Sequence, residues 1–165
     1  MKQLTIVRHA KSSWDLPEME DFYRPLNPRG VKNAFAMGDA LAVRGVFPDL
    51  IVTSPAVRAI NTAIIIARKL DFPQQRIESN DRIYEASVEA LFQLMANVPD
   101  SNGHLMLVGH NPSLTMLINR MQKKPLDNLP TCGVYHLELD MASWADVRQA
   151  KGKTSFALFP KDLKS

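Results

Sequence analysis

Cysteine and long hydrophobic runs are scarce in this sequence of 165 residues, and each scarcity excludes a class of protein. The single cysteine, Cys132, has no partner for a disulfide within the chain. No apolar run approaches the length of about 20 residues that a membrane-spanning helix needs. The first seven residues include one lysine but lack the apolar core of about 7 to 15 residues that marks a signal peptide. We therefore expect a cytoplasmic protein that does not bind a membrane.

Patterns that bind metals, nucleotides or nucleic acids are also scarce. The cysteine and the four histidines do not fall at zinc-binding spacing, and no cluster of carboxylates accompanies the histidines. The nucleotide-binding patterns Gly-x-x-x-x-Gly-Lys and Gly-x-Gly-x-x-Gly do not occur. The formal net charge is only +3, and no basic stripe is interleaved with aromatic residues. We expect no metal, no cofactor and no nucleic acid partner, while the mildly basic charge favours an anionic substrate.

The composition is typical of one globular domain, which we assign to residues 1–165. Hydrophobic residues make up 45% of the chain and charged residues 22%. Short apolar stretches rich in β-forming residues alternate with stretches of helical spacing, which is typical of an α/β protein. We predict a three-layer fold with a mostly parallel central sheet and helices on both faces. Because no clear helix separates the last two strands, we expect one antiparallel edge strand.

Turn and capping residues give approximate bounds for these elements. Three positions place a capping residue directly before a proline, which predicts helix starts at Asn27-Pro28, Ser54-Pro55 and Asn111-Pro112. Ser87 is a fourth candidate cap, and Gly45 suits the end of the first helix. Residues 11–26 have the polar character of a long surface loop, and residues 141–147 that of a short helix or a loop. The predicted strands are 3–7, 49–53, 76–79, 104–109, 134–139 and 154–159.

Arginine and histidine side chains follow three predicted strands, at the point where each strand ends. Arg8 and His9 end the first strand. Arg58 lies one turn into the helix after the second strand, and His110 follows the strand at 104–109. In an open α/β sheet such carboxyl ends form the edge where ligands bind. Guanidinium groups and helix N-termini favour phosphate oxygens, and imidazole can act as a nucleophile near neutral pH. The set predicts metal-free phosphoryl transfer through a covalent phosphohistidine.

Each of these residues also has a purely structural interpretation. A histidine at a strand end commonly bonds to nearby backbone, Arg58 could face solvent or pair with a carboxylate, and His110 could cap a helix. His104 begins its strand, so we expect it on the surface at the opposite end of the sheet. His136 lies within a strand and is expected to be structural. Cys132 has no neighbouring base, so we do not expect a nucleophile there.

Three separated motifs occur in order along the chain. They are Val7-Arg8-His9-Ala10-Lys11-Ser12, then Ser54-Pro55-Ala56-Val57-Arg58-Ala59 with Thr62-Ala63, and then Val108-Gly109-His110-Asn111. They resemble the signatures of the histidine phosphatase superfamily, the phosphoglycerate mutase-like proteins. The first motif as far as Trp14, the small size, and two further motifs are similar to the SixA-type branch: Asp21-Phe22 and Arg24-Pro25-Leu26. This resemblance implies a phosphoglycerate mutase-like fold and phosphohistidine phosphatase activity.

The resemblance also implies a role for each matching position. His9 would be the nucleophile that takes the phosphoryl group. Three residues would surround the phosphoryl oxygens and stabilise charge in the transition state, namely Arg8, Arg58 and His110. Ser12 would add a further phosphate contact. Glu85 lies where many members carry the general acid that protonates the leaving group, and a solvated loop carboxylate is its alternative.

Two positions depart from the family pattern. Ala10 replaces the glycine of the first signature, so the backbone there must avoid positive φ. Asp15 stands where many members carry an asparagine near the phosphate, and its charge would repel the substrate. The chain also lacks the long insertions that close over small substrates in larger members, which predicts an open site.

An open site suits a side chain on the surface of another protein. We therefore interpret the sequence as a phosphatase that hydrolyses phosphohistidine in proteins and acts as a monomer. Its expected partner is a phosphorylated protein, with a small phosphorylated substrate as the alternative. Two other functions remain open, a small-molecule phosphomonoesterase with the same site and a non-catalytic phosphate-binding module. The binding module is disfavoured because both histidines and both arginines of the motifs are present.

Overall fold

Six strands form one central sheet in the computed structural model of the protein, which describes residues 1–163. The strands are β1 (Lys2–Arg8), β2 (Leu50–Thr53), β3 (Glu78–Ser79), β4 (His104–Gly109), β5 (Val134–Leu139) and β6 (Gly152–Leu158). The α-helices are α1 (Pro28–Val43), α2 (Val57–Lys69), α3 (Val88–Ala96) and α4 (Ser113–Met121). Short 3-10 turns lie at Asp21–Tyr23, Gln74–Arg76, Asp81–Ile83, Trp144–Gln149 and Pro160–Asp162. The last two residues of the predicted domain lie outside the described residues.

The order and direction of the strands confirm the predicted fold class. Across the sheet the order is β3-β2-β4-β1-β5-β6. β1 pairs in parallel with β4, and β2 pairs in parallel with both β4 and β3. β5 is antiparallel to β1, and the edge strand β6 is antiparallel to β5. The sheet is therefore mostly parallel, with antiparallel pairings at one edge, and β6 ends on the same side of the sheet as β1.

Helices cover both faces of the sheet. Successive side chains of a strand point to opposite faces, so each buried strand contributes residues to two separate cores. In β4, Leu105 and Leu107 belong to a core that includes residues of α3, α4 and the turn at Trp144–Gln149. Met106 and Val108 belong to the second core, which includes residues of α1 and α2. Every residue of β4 is buried, as expected for a central strand covered on both faces.

Two of the four predicted helix caps are confirmed. α1 begins at Pro28, and the Asn27 side chain accepts a hydrogen bond from the Gly30 N–H at 2.7 Å. Ser87 caps α3 by accepting the Ala90 N–H at 3.1 Å. Each cap satisfies one of the N–H groups that the first helical turn leaves without a partner.

Ser54 and Asn111 do not cap the helices that follow them, and these two predicted starts are wrong. Helices α2 and α4 begin only after the prolines at 55 and 112. The Ser54 hydroxyl lies 2.7 Å from Nε2 of His110, and the Asn111 side-chain oxygen accepts the Thr115 N–H at 3.2 Å. The motif predicts a cap correctly only where no other partner claims the side chain.

His104 is buried, contrary to the prediction of a surface residue. It is only 8% exposed, and its Nε2 lies 2.7 Å from the Thr5 hydroxyl. The same hydroxyl lies 2.8 Å from Nδ1 of His136, which agrees with the structural role predicted for His136. The segment before β2 covers this end of the sheet, because the Asp49 carboxylate accepts the His104 N–H at 2.9 Å. The start of a central strand is therefore not an exposed position here.

The weakly patterned segments form less regular structure than strands or α-helices. Of residues 76–79, only β3 pairs as a strand. Of residues 141–147, the last four belong to the 3-10 turn at Trp144–Gln149. Residues 11–26 form a loop that is interrupted by the 3-10 turn at Asp21–Tyr23. Within residues 1–163, no helix is both long and apolar enough to cross a membrane.

Candidate active site

The carboxyl ends of β1, β4 and β2 lie side by side, because these strands are neighbours in the sheet. Arg8 at the end of β1 is in register with Gly109 at the end of β4, and β2 pairs with β4 as far as Thr53. The residues that follow these strands therefore reach one edge of the sheet. His9 and His110 meet there, with their ring centroids 5.1 Å apart.

His9 presents one unprotonated ring nitrogen to Arg58. Its Nδ1 lies 2.7 Å from the backbone oxygen of Ala10, which can only accept, so Nδ1 carries the proton. Its Nε2 accepts a hydrogen bond from Nε of Arg58 at 3.4 Å. Burial, and then the positive charges of Arg58 and two further arginines, lower the pKa of His9 to about 4, although the bond to Ala10 acts in the opposite direction. Nε2 therefore has an unshared electron pair at neutral pH.

Hydrogen bonds fix the turn that follows β1. The Ala10 N–H donates to the Thr62 hydroxyl at 3.0 Å. The Cys132 N–H donates to the backbone oxygens of Arg8 and His9 at 3.0 and 2.9 Å. Ala10 is fully buried and does not have positive φ, so alanine replaces the family's glycine without the left-handed strain. Burial raises the pKa of the Cys132 thiol to about 12, which agrees with the prediction that it is not a nucleophile.

Arg58 is buried and links His9 to the loop at 11–26. Its Nη1 donates to the backbone oxygen of Asp21 at 2.7 Å, and its Nη2 donates to Oδ2 of Asp21 at 2.9 Å. Arg58 therefore does not face solvent. The second alternative, pairing with a carboxylate, is present in the structure and coexists with the contact to His9.

His110 faces His9 from the end of β4. Its Nε2 contacts the Ser54 hydroxyl, whose oxygen also accepts the Ala56 N–H at 3.2 Å. Its Nδ1 is buried and has no hydrogen-bond partner in the part of the chain that the structure describes. Burial, and then the charges of His9 and Arg58, lower the pKa of His110 to about 3, so the ring is neutral at pH 7. When the Ser54 hydroxyl donates to Nε2, Nδ1 carries the proton and can donate to an anion.

Arg8, like His110, has one buried nitrogen without a hydrogen-bond partner among the described residues. Its Nη1 donates to the backbone oxygen of Leu129 at 3.0 Å, whereas its Nε is buried and unpaired among the described residues. Burial, and then the charge of Arg58, lower the pKa of the Arg8 guanidinium, but a guanidinium stays protonated in proteins. An unpaired buried donor is costly. Arg8 Nε and His110 Nδ1 are therefore well suited to bind an oxyanion.

These side chains line a cavity of about 410 Å³, which we call the cationic cavity. It brings together five of the six predicted site residues: Arg8, His9, Ser12, Arg58 and His110. The remaining lining residues are Lys11, Trp14, Arg24, Asn27, Asn111 and Thr131. Four lining residues are arginine or lysine and none is acidic, so the cavity favours a phosphoryl group over a cation. In residues 1–163, no three histidine, cysteine or acidic side chains are grouped as metal ligands would be.

Glu85 and Asp15 are not among the residues that line the cationic cavity. Glu85 is exposed and has a φ of 55°, while its neighbour Tyr84 contacts His110, with the ring centroids 5.6 Å apart. The role of Glu85 as general acid stays a prediction. Asp15 is exposed on the loop, so its charge is not part of the lining and the predicted repulsion is relieved.

Asp21 belongs to the site but was not predicted from the sequence. Its carboxylate accepts hydrogen bonds from three side chains: Arg24, Arg58 and Tyr84. Burial alone would raise the pKa of Asp21, but these hydrogen bonds outweigh burial and hold the pKa well below its ordinary value. The SixA-like motif at Asp21 and Arg24 marked this segment, although no spacing pointed to Tyr84, which is 63 residues away.

Arg24 fixes the loop that forms one wall of the cationic cavity. It donates to Asp21 Oδ1 at 2.8 Å and to the Ser12 hydroxyl, and its guanidinium lies 3.6 Å from the centroid of the Trp14 ring. The Ser12 oxygen accepts from Arg24, so its own proton remains available to a bound anion. A paired carboxylate and a stacked indole thus hold Ser12 in place.

Known proteins are similar to this chain over most of its length. A model of the histidine phosphatase superfamily (branch 1) matches residues 4–91, which include Arg8, His9 and Arg58. The uncharacterized protein Rv1276c of Mycobacterium tuberculosis is 29% identical over 152 residues, which cover 86% of this chain and 91% of that protein. The uncharacterized chloroplastic protein At3g52155 of Arabidopsis thaliana is 25% identical over 166 residues, which cover 95% of this chain and 75% of that protein.

Solved structures show the same architecture. The SixA protein of Agrobacterium tumefaciens superposes with a TM-score of 0.81 at 29% identity, over 96% of this chain and 98% of that chain. The protein histidine phosphatase SixA complexed with tungstate superposes with a TM-score of 0.83 at 21% identity, over 98% and 99% of the two chains. The family model covers more than half of the sequence and includes the end of β1 and the first turn of α2. The chain therefore belongs to the histidine phosphatase superfamily.

Proposed function

We propose that this protein is a metal-independent phosphatase that hydrolyses phosphohistidine in other proteins through a covalent intermediate on His9. One observation carries the proposal. His9, whose Nε2 is unprotonated, lines one cationic cavity together with Arg8 and His110, and each of these two residues has a buried nitrogen without a hydrogen-bond partner among residues 1–163, Arg8 Nε and His110 Nδ1. Donors that are fixed before the reaction stabilise developing charge without reorganisation. The guanidinium groups of this cavity can therefore stabilise the negative charge on the phosphoryl oxygens.

In the first step, the electron pair of His9 Nε2 attacks the phosphorus atom of the substrate. A P–N bond forms to His9, the P–N bond to the substrate imidazole breaks, and the departing imidazole takes up a proton. Arg8, Arg58 and His110 bind the phosphoryl oxygens as charge develops. Because the P–N bond of phosphohistidine is labile, protonation of the leaving imidazole needs little assistance from a general acid. This is compatible with the exposed position of Glu85.

In the second step, water attacks the phosphorus atom of phospho-His9. An O–P bond forms, the P–N bond to His9 breaks with its electron pair returning to Nε2, and the proton lost by water passes to solvent. Inorganic phosphate then leaves the cavity. The lowered pKa of His9 supports this cycle, because the released imidazole stays unprotonated and ready for the next substrate.

The loop at 11–26 supports a protein as the substrate. Trp14 lines the cationic cavity and is 70% exposed, and Leu16 and Tyr23 on the same loop are 62% and 56% exposed. Several large apolar side chains exposed on one loop next to a site favour contact with another macromolecule. The SixA protein of Agrobacterium tumefaciens, provisionally named a phosphohistidine phosphatase, is 29% identical, which supports the same class of substrate.

Trapping of the phosphorylated enzyme tests the proposal. The protein is mixed with a radiolabelled phosphohistidine peptide and denatured within milliseconds at alkaline pH, where phosphohistidine survives. We expect label on the wild-type protein and none on His9→Ala, which should also lose turnover. Full activity of His9→Ala, or turnover with no labelled protein, would contradict the nucleophile assignment.

Competition between two substrates separates the proposal from its alternatives. A small-molecule phosphomonoesterase would hydrolyse an aryl phosphate and leave the phosphohistidine peptide intact. A binding module would bind phosphate without ever forming a phosphoenzyme. Glu85→Gln should impair ester hydrolysis more than phosphohistidine hydrolysis, because the ester has the poorer leaving group. Equal losses on both substrates would remove the distinct role of Glu85.

A further inference from the structure

A groove of about 310 Å³ begins at the wall of the cationic cavity. Lys11 and Thr131 line both the groove and the cavity that contains His9. Thr131 is held close to His9, because the next residue along the chain donates its N–H to the His9 backbone oxygen at 2.9 Å. We call this groove the basic groove, after its three cationic side chains: Lys11, Arg29 and Lys161.

The fold brings these three cations together from separate parts of the chain. Arg29 lies in the first turn of α1, next to Lys11, because the Asn27 N–H donates to the Lys11 backbone oxygen at 3.0 Å. Lys161 follows β6, which runs in the same direction as β1 and so ends at the same edge of the sheet. The basic groove is therefore a fixed neighbour of the candidate site.

The positive charge of the basic groove is not neutralised within the described chain. Lys11, Arg29 and Lys161 are exposed, and none forms a salt bridge with another residue of 1–163. No acidic side chain lines the groove. The carboxylate of Asp162, beside Lys161, accepts the Phe159 N–H at 3.0 Å. Like charges that converge on one groove are stabilised when an anion binds between them.

We propose that the basic groove binds aspartate or glutamate side chains of the substrate protein that flank its phosphohistidine. This inference rests on the proposed function, because the phosphohistidine must occupy the cationic cavity for its neighbours to reach the groove. The three cations come from separate segments of the chain, the loop after β1, the first turn of α1 and the turn after β6, which suits separate carboxylates on a peptide. The amides of Asn33 and Asn128 add uncharged donors along the same surface.

Two phosphohistidine peptides test the inference. They have the same sequence except that the residues beside the phosphohistidine are aspartate and glutamate in one and asparagine and glutamine in the other. We expect kcat/KM of the wild-type protein to be about fivefold higher for the acidic peptide at low salt, as two exposed ion pairs allow. Added salt should reduce this preference, because exposed charges are screened.

A pair of double variants locates the preference. Arg29→Gln with Lys161→Gln removes two charges of the basic groove and leaves Lys11, which also lines the cationic cavity, unchanged. The matched control is Arg68→Gln with Lys153→Gln. Both residues are exposed, at the end of α2 and the start of β6, and they lie away from the carboxyl ends of the strands where the groove is. Phosphoramidate, a small P–N substrate, reports catalysis without contact to the groove.

The groove variant, which keeps only Lys11 of the three cations, should lose most of the preference for the acidic peptide, while its kcat/KM for phosphoramidate stays at the wild-type value. The control variant should keep the preference. A preference that stays at the wild-type level in the groove variant, or that falls equally in the control variant, would overturn the inference. If the wild-type protein hydrolyses both peptides at the same rate, the groove assignment fails and the proposed function stands. If it hydrolyses an aryl phosphate but neither peptide, the proposed function fails and takes the groove assignment with it.

Discussion

At the residue scale, the side chains of the site divide into those that would touch the phosphoryl group and those that hold them in position. His9 and Arg8 line the cationic cavity, whereas Asp21 binds the terminal nitrogens of Arg58. The Ser54 hydroxyl holds the His110 ring in position through its contact with Nε2. The two groups of residues should differ in what their substitution changes.

The protonation of His9 should set the lower pH limit of catalysis. Its pKa of about 4 lies below the ordinary value of 6.5, so the electron pair of Nε2 is free at neutral pH and is lost as the pH falls through 4. An NMR titration of the His9 ring measures this pKa directly. We expect a midpoint near 4 and a loss of kcat/KM of about tenfold per pH unit below it. A midpoint near 6.5 would contradict the buried, cation-flanked position of the ring.

Asp21→Asn keeps the shape of the side chain and removes its charge. Because Arg58 then loses its charged partner, we expect kcat to fall by about 10- to 100-fold through misplacement of the guanidinium. The melting temperature should fall modestly, because the buried Arg24 and Arg58 lose a charged partner while the 48% exposure of the Asp21 side chain limits the loss. Asp146→Asn, at an exposed position in the turn at Trp144–Gln149, is the control. Equal kcat values for the two variants would argue against a positioning role for Asp21.

At the element scale, the sequence predicts structure well where burial alone decides the pattern. The continuous apolar run of β4 and the apolar stripe of α2 are buried as expected. The starts of α2 and α4 are displaced because Ser54 and Asn111 bond to other side chains, and such partners cannot be inferred from spacing.

The candidate site shows the same division. The placement of Arg8, His9 and His110 was predictable because they end or directly follow strands, and parallel neighbours bring their carboxyl ends to one edge. Asp21 and Tyr84 lie on irregular segments, without a periodic pattern that links them. Their hydrogen bond of 2.8 Å depends on the tertiary fold alone.

Gly30→Ala should destabilise the protein, although alanine usually stabilises a helix relative to glycine. A Cβ atom at position 30 would lie 2.1 Å from the backbone oxygen of Lys11, so the first turn of α1 would have to move away from the loop. We expect the free energy of unfolding in urea to fall by about 1 to 3 kcal/mol. Gly103→Ala is the control, since its Cβ would meet its nearest atom at 3.6 Å. Equal effects of the two substitutions would contradict the close approach at Lys11.

At the scale of the whole molecule, buried histidines lie both at the carboxyl edge of the sheet and away from it. His9 and His110 lie at the carboxyl edge, while His104 and His136 share the Thr5 hydroxyl away from it. Burial is the largest cause of a lowered pKa in all four. The folded protein therefore resists protonation that the unfolded chain accepts.

Stability should consequently decrease as the pH falls from about 7 to about 4. The pKa of His104 is about 4 in the folded protein against an ordinary value of 6.5, so between these values the unfolded chain binds more protons and unfolding is favoured by acid. With four such histidines, we expect a loss on the order of several kcal/mol, measured by urea denaturation across this range. His104→Gln should lower the slope near pH 5 by about one proton. An unchanged slope would show that His104 does not contribute.

The buried thiol of Cys132 can report local opening of the structure next to the site. Its sulfur is enclosed in the core, and its main chain is bonded to the two residues that end β1 and begin the site. An alkylating reagent can reach this sulfur only when the structure around Cys132 opens, so the rate of modification measures how often this opening occurs. Occupancy of the cationic cavity by an oxyanion should slow the modification, and a ligand confined to the outer surface should leave it unchanged.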